Sequence, residues 1–347
     1  FAADSVLPAW NPISPEVSPF SLTACNPALT APRELNAYTP DAQRQLISAW
    51  IIALIAGIRP LPLLATIGDK GGGKTTLIRA ISQLTTLADP TIPSPDSRDF
   101  WSLAIHSVLM AFDNVDTPEE WFPDVVAALV TGVEYRRRKM YTDSSISTQK
   151  PRAALALSTR TAAFARPDVA ERTLPVFTEP FQTGQRRSDD DMRTEVRDKR
   201  DSVMTWLASR AVELIQAVVS APNDLPGRFV DFGRIVWGLD SINAHDILKA
   251  LEQAQALCVG SADELIAAIV EYFDAIAGLT PPGDEWEGTP SELMQDLKSA
   301  GGDIDYQGGG RMIARKLREG KNTLAVFGIS LSTRPFGNST KFTLTKV

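Results

Sequence analysis

A phosphate-binding loop is the strongest chemical signal in the sequence. Gly68 is followed at fixed spacing by Gly73, Lys74 and Thr75, between a short apolar run and a helix-like pattern. Glycines let backbone N–H groups approach phosphate oxygens, and a helix N-terminus adds positive potential. The lysine of this motif reaches the β- and γ-phosphates, and the hydroxyl binds magnesium. The predicted ATP and Mg²⁺ site comprises Gly68, Asp69, Lys70, Gly71, Gly72, Gly73, Lys74, Thr75 and Thr76.

A second apolar run delivers an acid that would complete the magnesium site. Asp113 follows this run, and we expect it to hold Mg²⁺ through water. Most ATP-hydrolysing proteins with this arrangement have glutamate directly after the aspartate, whereas this chain has Asn114 there. Either Asp116 supplies the base, or Asn114 only orients the attacking water and hydrolysis is slow. Asp116 also starts a helix-like string, so an N-cap role is an equal alternative.

A third apolar run ends in polar residues that are candidate sensors of the γ-phosphate. Ala154 to Leu157 predicts a strand, and Ser158 and Thr159 follow it. Arg228, or another arginine of the helical region that follows, is a further candidate for a sensor over the γ-phosphate in its own subunit. The alternative for Arg228 is a structural ion pair with Asp231.

Arginines after the sensor strand are candidates for a role in the neighbouring subunit. In nucleotide-driven motors such an arginine often enters the ATP site of the next subunit as an arginine finger. Arg172 is our first candidate and Arg166 the second. An ion pair of Arg172 with Asp168 in the same chain is the alternative.

Two basic clusters are candidate DNA contacts. The first lies before the sensor strand, where ring helicases often place a hairpin in the pore. The second is a predicted helix whose arginines recur at helical spacing, as in a DNA-reading helix. A solvated hairpin, a subunit contact and a protein–protein module are the alternatives. The candidates are Arg136, Arg137, Arg138, Lys139 and Lys150, followed by Arg311, Arg315 and Arg318.

The elements that position these groups follow from residue patterns. Strands alternate with helices over 41–182, which predicts an α/β ATPase core with a parallel sheet covered on both faces. Residues 1–40 predict an extended N-terminal lead-in, because they are rich in proline and lack periodicity. Residues 183–281 predict a helical lid domain. Residues 286–347 predict a small winged-helix domain.

Several element bounds are specific enough to test. We expect a strand over Leu103–Phe112 and a hairpin with arms Tyr135–Thr142 and Gln149–Leu157. In the winged-helix domain we expect strands over Leu324–Ser332 and Lys341–Thr345, joined by a loop.

Bulk properties limit the function classes. The net charge of −7 on 347 residues excludes a global basic field, so nucleic acid must be held by local patches. The two cysteines have no metal spacing and indicate a reduced, cytoplasmic protein. The apolar run over 46–58 is too short to cross a bilayer, so we expect no membrane partner. Because the chain begins at Phe1, we expect it to be part of something longer.

The ordered motifs resemble a family of ATP-binding proteins from phages, plasmids and integrative elements, which often form the helicase half of primase–helicase proteins. The resemblance covers about residues 40 to 240. Two departures are Ser158-Thr159, where the family tends to have Asn-Gly, and a P-loop with glycine in place of serine. The resemblance is carried by Gly68–Thr76, Asp89-Pro90, Phe112–Val115, Thr131-Gly132, Arg138–Asp143, Arg166–Arg172 and Arg228–Phe232.

This resemblance implies a AAA+ core related to superfamily 3 and MCM-like helicases, working as a homo-oligomeric ring, often a hexamer. It implies an ATP-hydrolysing DNA helicase or translocase in the replication of a mobile genetic element, with a primase domain or partner. The alternative is a AAA+ ATP switch that acts as an origin-binding initiator or helicase loader. It also implies a different role for Arg138, which would face the nucleotide of a neighbouring subunit instead of DNA.

Overall fold

The computed structural model describes residues 12, 16–32, 35–87, 91–92, 97–116, 119–138, 146–161, 166–182, 184, 187–276, 285–299, 309–336 and 339–346. The chain forms two compact units. The first comprises Phe1–Ala163 and Glu171–Glu252, and the second comprises Phe164–Ala170 and Gln253–Val347. Among the described helices, none is long and apolar enough to cross a membrane.

A parallel five-stranded sheet forms the core of the first unit, as the alternating pattern predicts. Its strand order is β2-β3-β6-β1-β7, and every neighbouring pair is parallel. The interior strand β1 is buried along nearly its whole length, as its mostly apolar sequence predicts. The strands are β1 Leu63–Gly68, β2 Thr91–Ile92, β3 Leu109–Phe112, β6 Ala154–Thr159 and β7 Thr173–Thr178, and a separate antiparallel hairpin consists of β4 Tyr135–Arg138 and β5 Ile146–Gln149.

Helices flank this sheet, and local signals set their ends. In α1 the Thr39 hydroxyl accepts a hydrogen bond from Ala42 N at 3.2 Å, and Pro40 begins the helix. Gly132 ends α4 in the left-handed region, with φ of 86°. The helices are α1 Pro40–Ile55, α2 Lys74–Thr86, α3 Ser97–His106, α4 Phe122–Thr131, α6 Asp189–Ser220 and α7 Val230–Leu239, while α8 Ala244–Ala262 crosses the division between the units.

The second unit has its own core and a three-stranded antiparallel sheet of order β8-β10-β9. Leu265, Phe273, Leu317 and Phe342 are fully or almost fully buried within one apolar cluster. The elements are α5 Pro167–Ala170, α9 Glu264–Ile276, β8 Glu285–Gly288, α10 Pro290–Ser299, α11 Gly310–Glu319, α12 Lys321–Val326, β9 Ile329–Phe336 and β10 Ser339–Lys346.

Several predicted bounds are wrong. The predicted strand over Leu103–Phe112 is the end of α3 followed by the shorter β3. Phe100 and Ala104 are both fully buried at helical spacing, so the apolar run contains the buried face of a helix as well as a strand. The predicted hairpin does form, but its second arm is β5, which is separate from β6.

The C-terminal bounds also differ from the prediction. Leu324 is buried in helix α12 rather than in a strand. The predicted loop between the last two strands is mostly paired, because Phe336 lies opposite Ser339 and Pro335 opposite Thr340. Strands β7 and β8 were not predicted.

Candidate nucleotide site

The glycine-rich loop connects β1 to α2 and lies against the end of β7. Gly73 precedes the helix in the left-handed region, with φ of 81°. A Cβ atom at Gly68 would lie 2.0 Å from Thr178 O, and one at Gly72 would lie 2.7 Å from Glu179 O. A side chain at either position would therefore clash with the backbone that follows β7, so both positions favour glycine.

Two backbone hydrogen bonds hold the loop, one from the N-terminal segment and one from the residues after β7. Ala28 N donates to Gly72 O, and Phe181 N donates to Gly71 O, both at 3.0 Å. The N-terminal segment is itself attached to β7, since Thr30 N donates to Phe177 O at 3.0 Å. These contacts could not be predicted from the sequence, because backbone groups supply them and no residue type marks them.

Lys74 and Thr75 lie where the motif predicts. Lys74 Nζ donates to Gly68 O at 2.6 Å and to Asp69 O at 2.7 Å, and the residue is only 8% exposed. Burial lowers the pKa of this amine, against the opposing effect of nearby carboxylates such as Asp69. Thr75 Oγ1 donates to Asp113 Oδ1 at 2.7 Å, so the two predicted magnesium ligands are in contact.

Ser158 meets Asp113 because β3 and β6 are neighbouring parallel strands that end together. Phe112 pairs with Leu157, and the next residue of each strand then carries the polar group. The fully buried Ser158 hydroxyl donates to Asp113 Oδ1 and accepts from Asn114 N at 3.0 Å. Asn114 adopts a φ of 57°, a conformation that asparagine tolerates. Ser158 thus fixes the orientation of the carboxylate.

Asp116 binds the end of the sensor strand. Its carboxylate accepts from Arg160 N and from Arg160 Nε, each at 2.7 Å, and from Thr159 Oγ1 at 3.3 Å. The backbone hydrogen bond from Arg160 is the main cause that lowers the pKa of Asp116. The N-cap alternative for Asp116 is wrong, because α4 begins at Phe122 with Trp121 as its N-cap. Arg160 was not predicted, although it directly follows the candidate sensors.

Arg172 lies at the opposite edge of the sheet from the P-loop. Its carbonyl accepts from Leu63 N at 2.8 Å, at the start of β1, whereas the P-loop follows the end of β1. Strand β1 has six residues, so at about 3.3 Å per residue its ends are roughly 17 Å apart. Arg172 Nε donates to Thr131 Oγ1 at 3.2 Å. Arg172 therefore does not neighbour the P-loop of its own chain.

The other two candidate arginines make ion pairs. Arg228 Nη1 lies 3.3 Å from Glu171 Oε2, beside the start of β7, so it also lies away from its own P-loop. The expected alternative partner, Asp231, pairs instead with Arg234 at 3.4 Å. In the second unit, Nε and Nη2 of Arg166 each lie 3.0 Å from a carboxylate oxygen of Asp168.

The basic hairpin is partly neutralised by its own acid. Glu134 Oε2 lies 3.4 Å from Arg136 Nη2, and Glu134 Oε1 lies 3.0 Å from Lys150 Nζ. The Lys150 hydrogen bond is the main cause that lowers the pKa of Glu134. Only the backbone of Arg137 and Arg138 is described, within β4, and Lys139 lies outside the described residues.

The three candidate arginines of the second unit are exposed on α11. Arg311, Arg315 and Arg318 are exposed, while Ile313 and Leu317 on the same helix are buried. Arg315 Nε lies 3.5 Å from Glu319 Oε1, and the Arg318 guanidinium lies 5.5 Å from the centre of a phenylalanine ring of β10. The helical spacing predicted for this face is therefore present.

A cavity of about 260 Å³ lies beside the P-loop. The loop itself, the N-terminal segment and the residues after β7 and at the start of α6 all contribute to its wall. Mostly apolar walls with a few polar groups are typical of ligand sites. The wall includes Asn26, Pro27, Gly73, Thr76, Phe181 and Met192.

Comparison with solved structures found several similar chains, some of which are described as helicases. SCCmec type IV Cch, described as an active helicase, is 13% identical, with 88% of this chain and 66% of that chain covered and a TM-score of 0.43. The apo C-terminal region of NrS-1 is 10% identical, with 94% and 79% covered and a TM-score of 0.42. JCV helicase is 13% identical, with 60% and 58% covered and a TM-score of 0.32.

Comparison with curated proteins gave no match. A family model for the actinomycete integrative conjugative element replication protein matches residues 33–258. This range is more than half of the 347 residues and includes the P-loop, Asp113, Ser158 and Arg172. The chain therefore belongs to the family of replication proteins of actinomycete integrative conjugative elements.

Proposed function

We propose that this replication protein is an ATP-dependent DNA helicase or translocase of the AAA+ class. The observation that carries the proposal is the contact of Asp113 with both Thr75 and Ser158 at the ends of neighbouring strands. This contact joins the P-loop, the acidic strand and the sensor strand into one site. Membership of a replication protein family supports DNA as the polymer on which the energy of ATP is used.

The residues present fit a magnesium–nucleotide complex. Among the described residues, no group of three or more His, Cys, Asp or Glu side chains could hold a metal by itself. Mg²⁺ usually binds one or two protein groups and takes its other ligands from phosphates and water. Thr75 and Asp113 would supply the protein ligands, and the ion would neutralise phosphate charge. Lys74 would exchange its two backbone carbonyl partners for phosphate oxygens.

The cavity beside the P-loop suits the base and sugar of the nucleotide. Its wall includes Gly71 and Gly73 of the loop, so a molecule there is continuous with the phosphate position. Phe181 and Pro27 offer apolar surfaces for a flat base. The N-terminal segment would therefore contribute to nucleotide binding as well as to the support of the loop.

A ring of identical subunits is supported by the position of Arg172. Arg172 is separated from the P-loop of its own chain by about the length of β1. An arginine finger role for Arg172 therefore requires a second copy of the chain. Lys74, Thr75 and Asp113 would act on the nucleotide within one copy, and Arg172 would reach it from the next. A hexamer is the assembly that the family resemblance favours.

A winged-helix domain is supported by the order of elements in the second unit. Helix α9 and strand β8 precede α10 and α11, and the antiparallel pair β9 and β10 follows. In a winged helix the exposed face of the reading helix enters the major groove. On α11 that face would carry Arg311, Arg315 and Arg318.

A AAA+ switch with slow hydrolysis is the second candidate function. Asn114 has no carboxylate, and Asp116 is held by Arg160 in a way that lowers its pKa and weakens it as a base. Slow turnover would suit an initiator or loader that changes state once per event. The lack of a strong base would slow ATP hydrolysis but would not weaken ATP binding.

One experiment separates the two candidates. The ATPase rate is measured with and without single-stranded DNA, together with strand displacement from a forked duplex, and Lys74→Ala serves as the inactive control. A helicase shows DNA-stimulated hydrolysis and displacement that Lys74→Ala lacks. A very slow, unstimulated ATPase without displacement would exclude the helicase and leave the switch.

A further inference from the structure

A second cavity lies at the edge of the sheet opposite the P-loop. Its volume is about 580 Å³. Its wall combines the segment before β1, the segment before β6 and the end of α4. The cationic side chains in the wall belong to Arg59, Lys150 and Arg152.

Lys150 pairs with Glu134, but the other two cations of this wall have no carboxylate partner among the described residues. Arg59 donates through Nε to Arg152 O at 2.9 Å and through Nη1 to Ile58 O at 2.7 Å, and both acceptors are uncharged. In the part of the chain that the structure describes, no carboxylate pairs with either Arg59 or Arg152. The acid in the wall, Asp231, is paired with Arg234.

The lack of a carboxylate partner matters most at Arg59, because Arg59 is half-buried whereas Arg152 is exposed. Desolvation, followed by the nearby positive charge of Arg152, lowers the pKa of Arg59 to about 10. A partly buried charge is stabilised by a partner of opposite sign, and the net charge of −7 means that such partners are plentiful elsewhere on this chain. An anion from outside the chain would supply the missing partner. The planar guanidinium fork suits phosphate oxygens.

The cavity is continuous with the basic hairpin. Lys150 directly follows β5 of the hairpin and also contributes to the cavity wall. A polymer of phosphates that contacts Arg136 and Lys150 on the hairpin would therefore meet Arg152 next. A single nucleotide would not need this continuity, so the arrangement favours a nucleic-acid strand.

We propose that this cavity binds a phosphate of single-stranded DNA, with Arg59 and Arg152 as its ligands. The inference rests on the proposed DNA-dependent function and extends the DNA contact from the hairpin to the base of the sheet. Arg59 shortly precedes β1 and Arg152 shortly precedes β6. These two strands end at the P-loop and at Ser158, so the DNA site and the nucleotide site would occupy opposite ends of the same strands.

The test is the salt dependence of binding to fluorescein-labelled oligothymidylate, measured by anisotropy on the full chain. Each phosphate contact to a single strand contributes about 0.7 to the slope of log K against log salt concentration. Arg152→Gln should make the slope shallower by about 0.7 and weaken binding at low salt. Because Arg59 binds the Arg152 carbonyl, this substitution leaves that hydrogen bond in place.

Two variants serve as controls. Arg197→Gln removes one positive charge from an exposed position on α6 that pairs with Asp198, and it should keep the slope of the wild type. Arg152→Lys keeps the charge and should keep the slope, which separates loss of charge from loss of folding.

The possible outcomes are distinct. An unchanged slope in Arg152→Gln, with normal binding by the wild type, overturns the inference and leaves the proposed function intact. An unchanged slope together with slower ATP turnover would mean that the cavity serves the nucleotide of a neighbouring copy, which also overturns it. If the wild type fails to bind the oligonucleotide, the proposed function itself fails.

Discussion

Ser158 is the residue whose substitution tests the nucleotide site most directly. Its hydroxyl is fully buried, donates to the Asp113 carboxylate and accepts from Asn114 N. Ser158→Ala removes a hydrogen bond to a charged group, which is worth about 1.5–3 kcal/mol, and leaves the Asn114 N–H without this acceptor. We therefore expect the free energy of unfolding to fall by about 2–3 kcal/mol.

Thr66→Val is a matched control from the adjacent strand. Thr66 pairs with Ser158 in the sheet register and is equally buried. Its hydroxyl donates to the neutral acceptor Leu157 O at 3.1 Å, so its loss should cost only about 1 kcal/mol. Urea titration followed by tryptophan fluorescence measures both losses. Comparing the two variants separates the stability lost with the hydrogen bond to the carboxylate from the stability lost with any buried hydroxyl.

The same pair of variants has a functional readout. Asp113 accepts from Thr75 and from Ser158, so the loss of Ser158 leaves it less well oriented for Mg²⁺. Losing such a supporting contact typically costs about 10–100-fold in metal affinity or activity. The Mg²⁺ concentration at half-maximal ATP turnover should rise by that factor in Ser158→Ala and stay constant in Thr66→Val. Equal stabilities and equal Mg²⁺ midpoints for the two variants would refute the reasoning.

Two further predictions concern assembly and pH. If Arg172 acts on a neighbour, mixing Arg172→Ala with Lys74→Ala, each inactive alone, should restore part of the ATPase activity, because some interfaces combine intact groups. No recovery at any mixing ratio would contradict the trans role. Asp240→Ala should lower the free energy of unfolding by about 1 kcal/mol at pH 7, because the carboxylate accepts from Asn243 and Gln45. The side-chain hydrogen bond from Asn243 is the main cause that lowers the pKa of Asp240, so the stabilisation is present above the unfolded pKa of about 3.9 and is lost as the pH falls through the lower folded value. An unfolding titration at several pH values should show the difference between variant and wild type vanish in acid, and a difference that persists there would contradict the assignment.

The sequence predicted the P-loop and the two strand-end groups because each signal is local. A glycine-rich loop, a lysine and a hydroxyl lie within a few residues, and Asp113 and Ser158 each end an apolar run. Their meeting follows from the general rule that parallel strands end at one edge. The start of α1 was also predictable, since Thr39 and Pro40 are standard helix-start residues.

Other contacts lay beyond sequence reasoning because they join distant segments through ordinary groups. The backbone bond from Ala28 to Gly72 depends only on the path of the chain. The ion pair of Asp116 with Arg160 spans two strand ends, and either residue alone has an equally good local explanation. The apolar run that ends in β3 could not be divided by periodicity, because the end of α3 and the strand are both apolar.

The two ends of the sheet give the proposed motor its geometry. The phosphate loop, Asp113 and Ser158 lie where β1, β3 and β6 end, whereas Arg172 and the cationic cavity lie where β1, β6 and β7 begin. A single copy cannot bring Arg172 to its own P-loop, because a hydrogen-bonded strand has a fixed length. Completion of the nucleotide site by Arg172 therefore requires the beginning of the sheet in one copy to face the end of the sheet in the next. Such a head-to-tail contact generates a ring when its rotation closes. In that ring, each interface would lie beside a DNA-binding cavity, so that ATP state and DNA contact would be coupled through the same pair of strands.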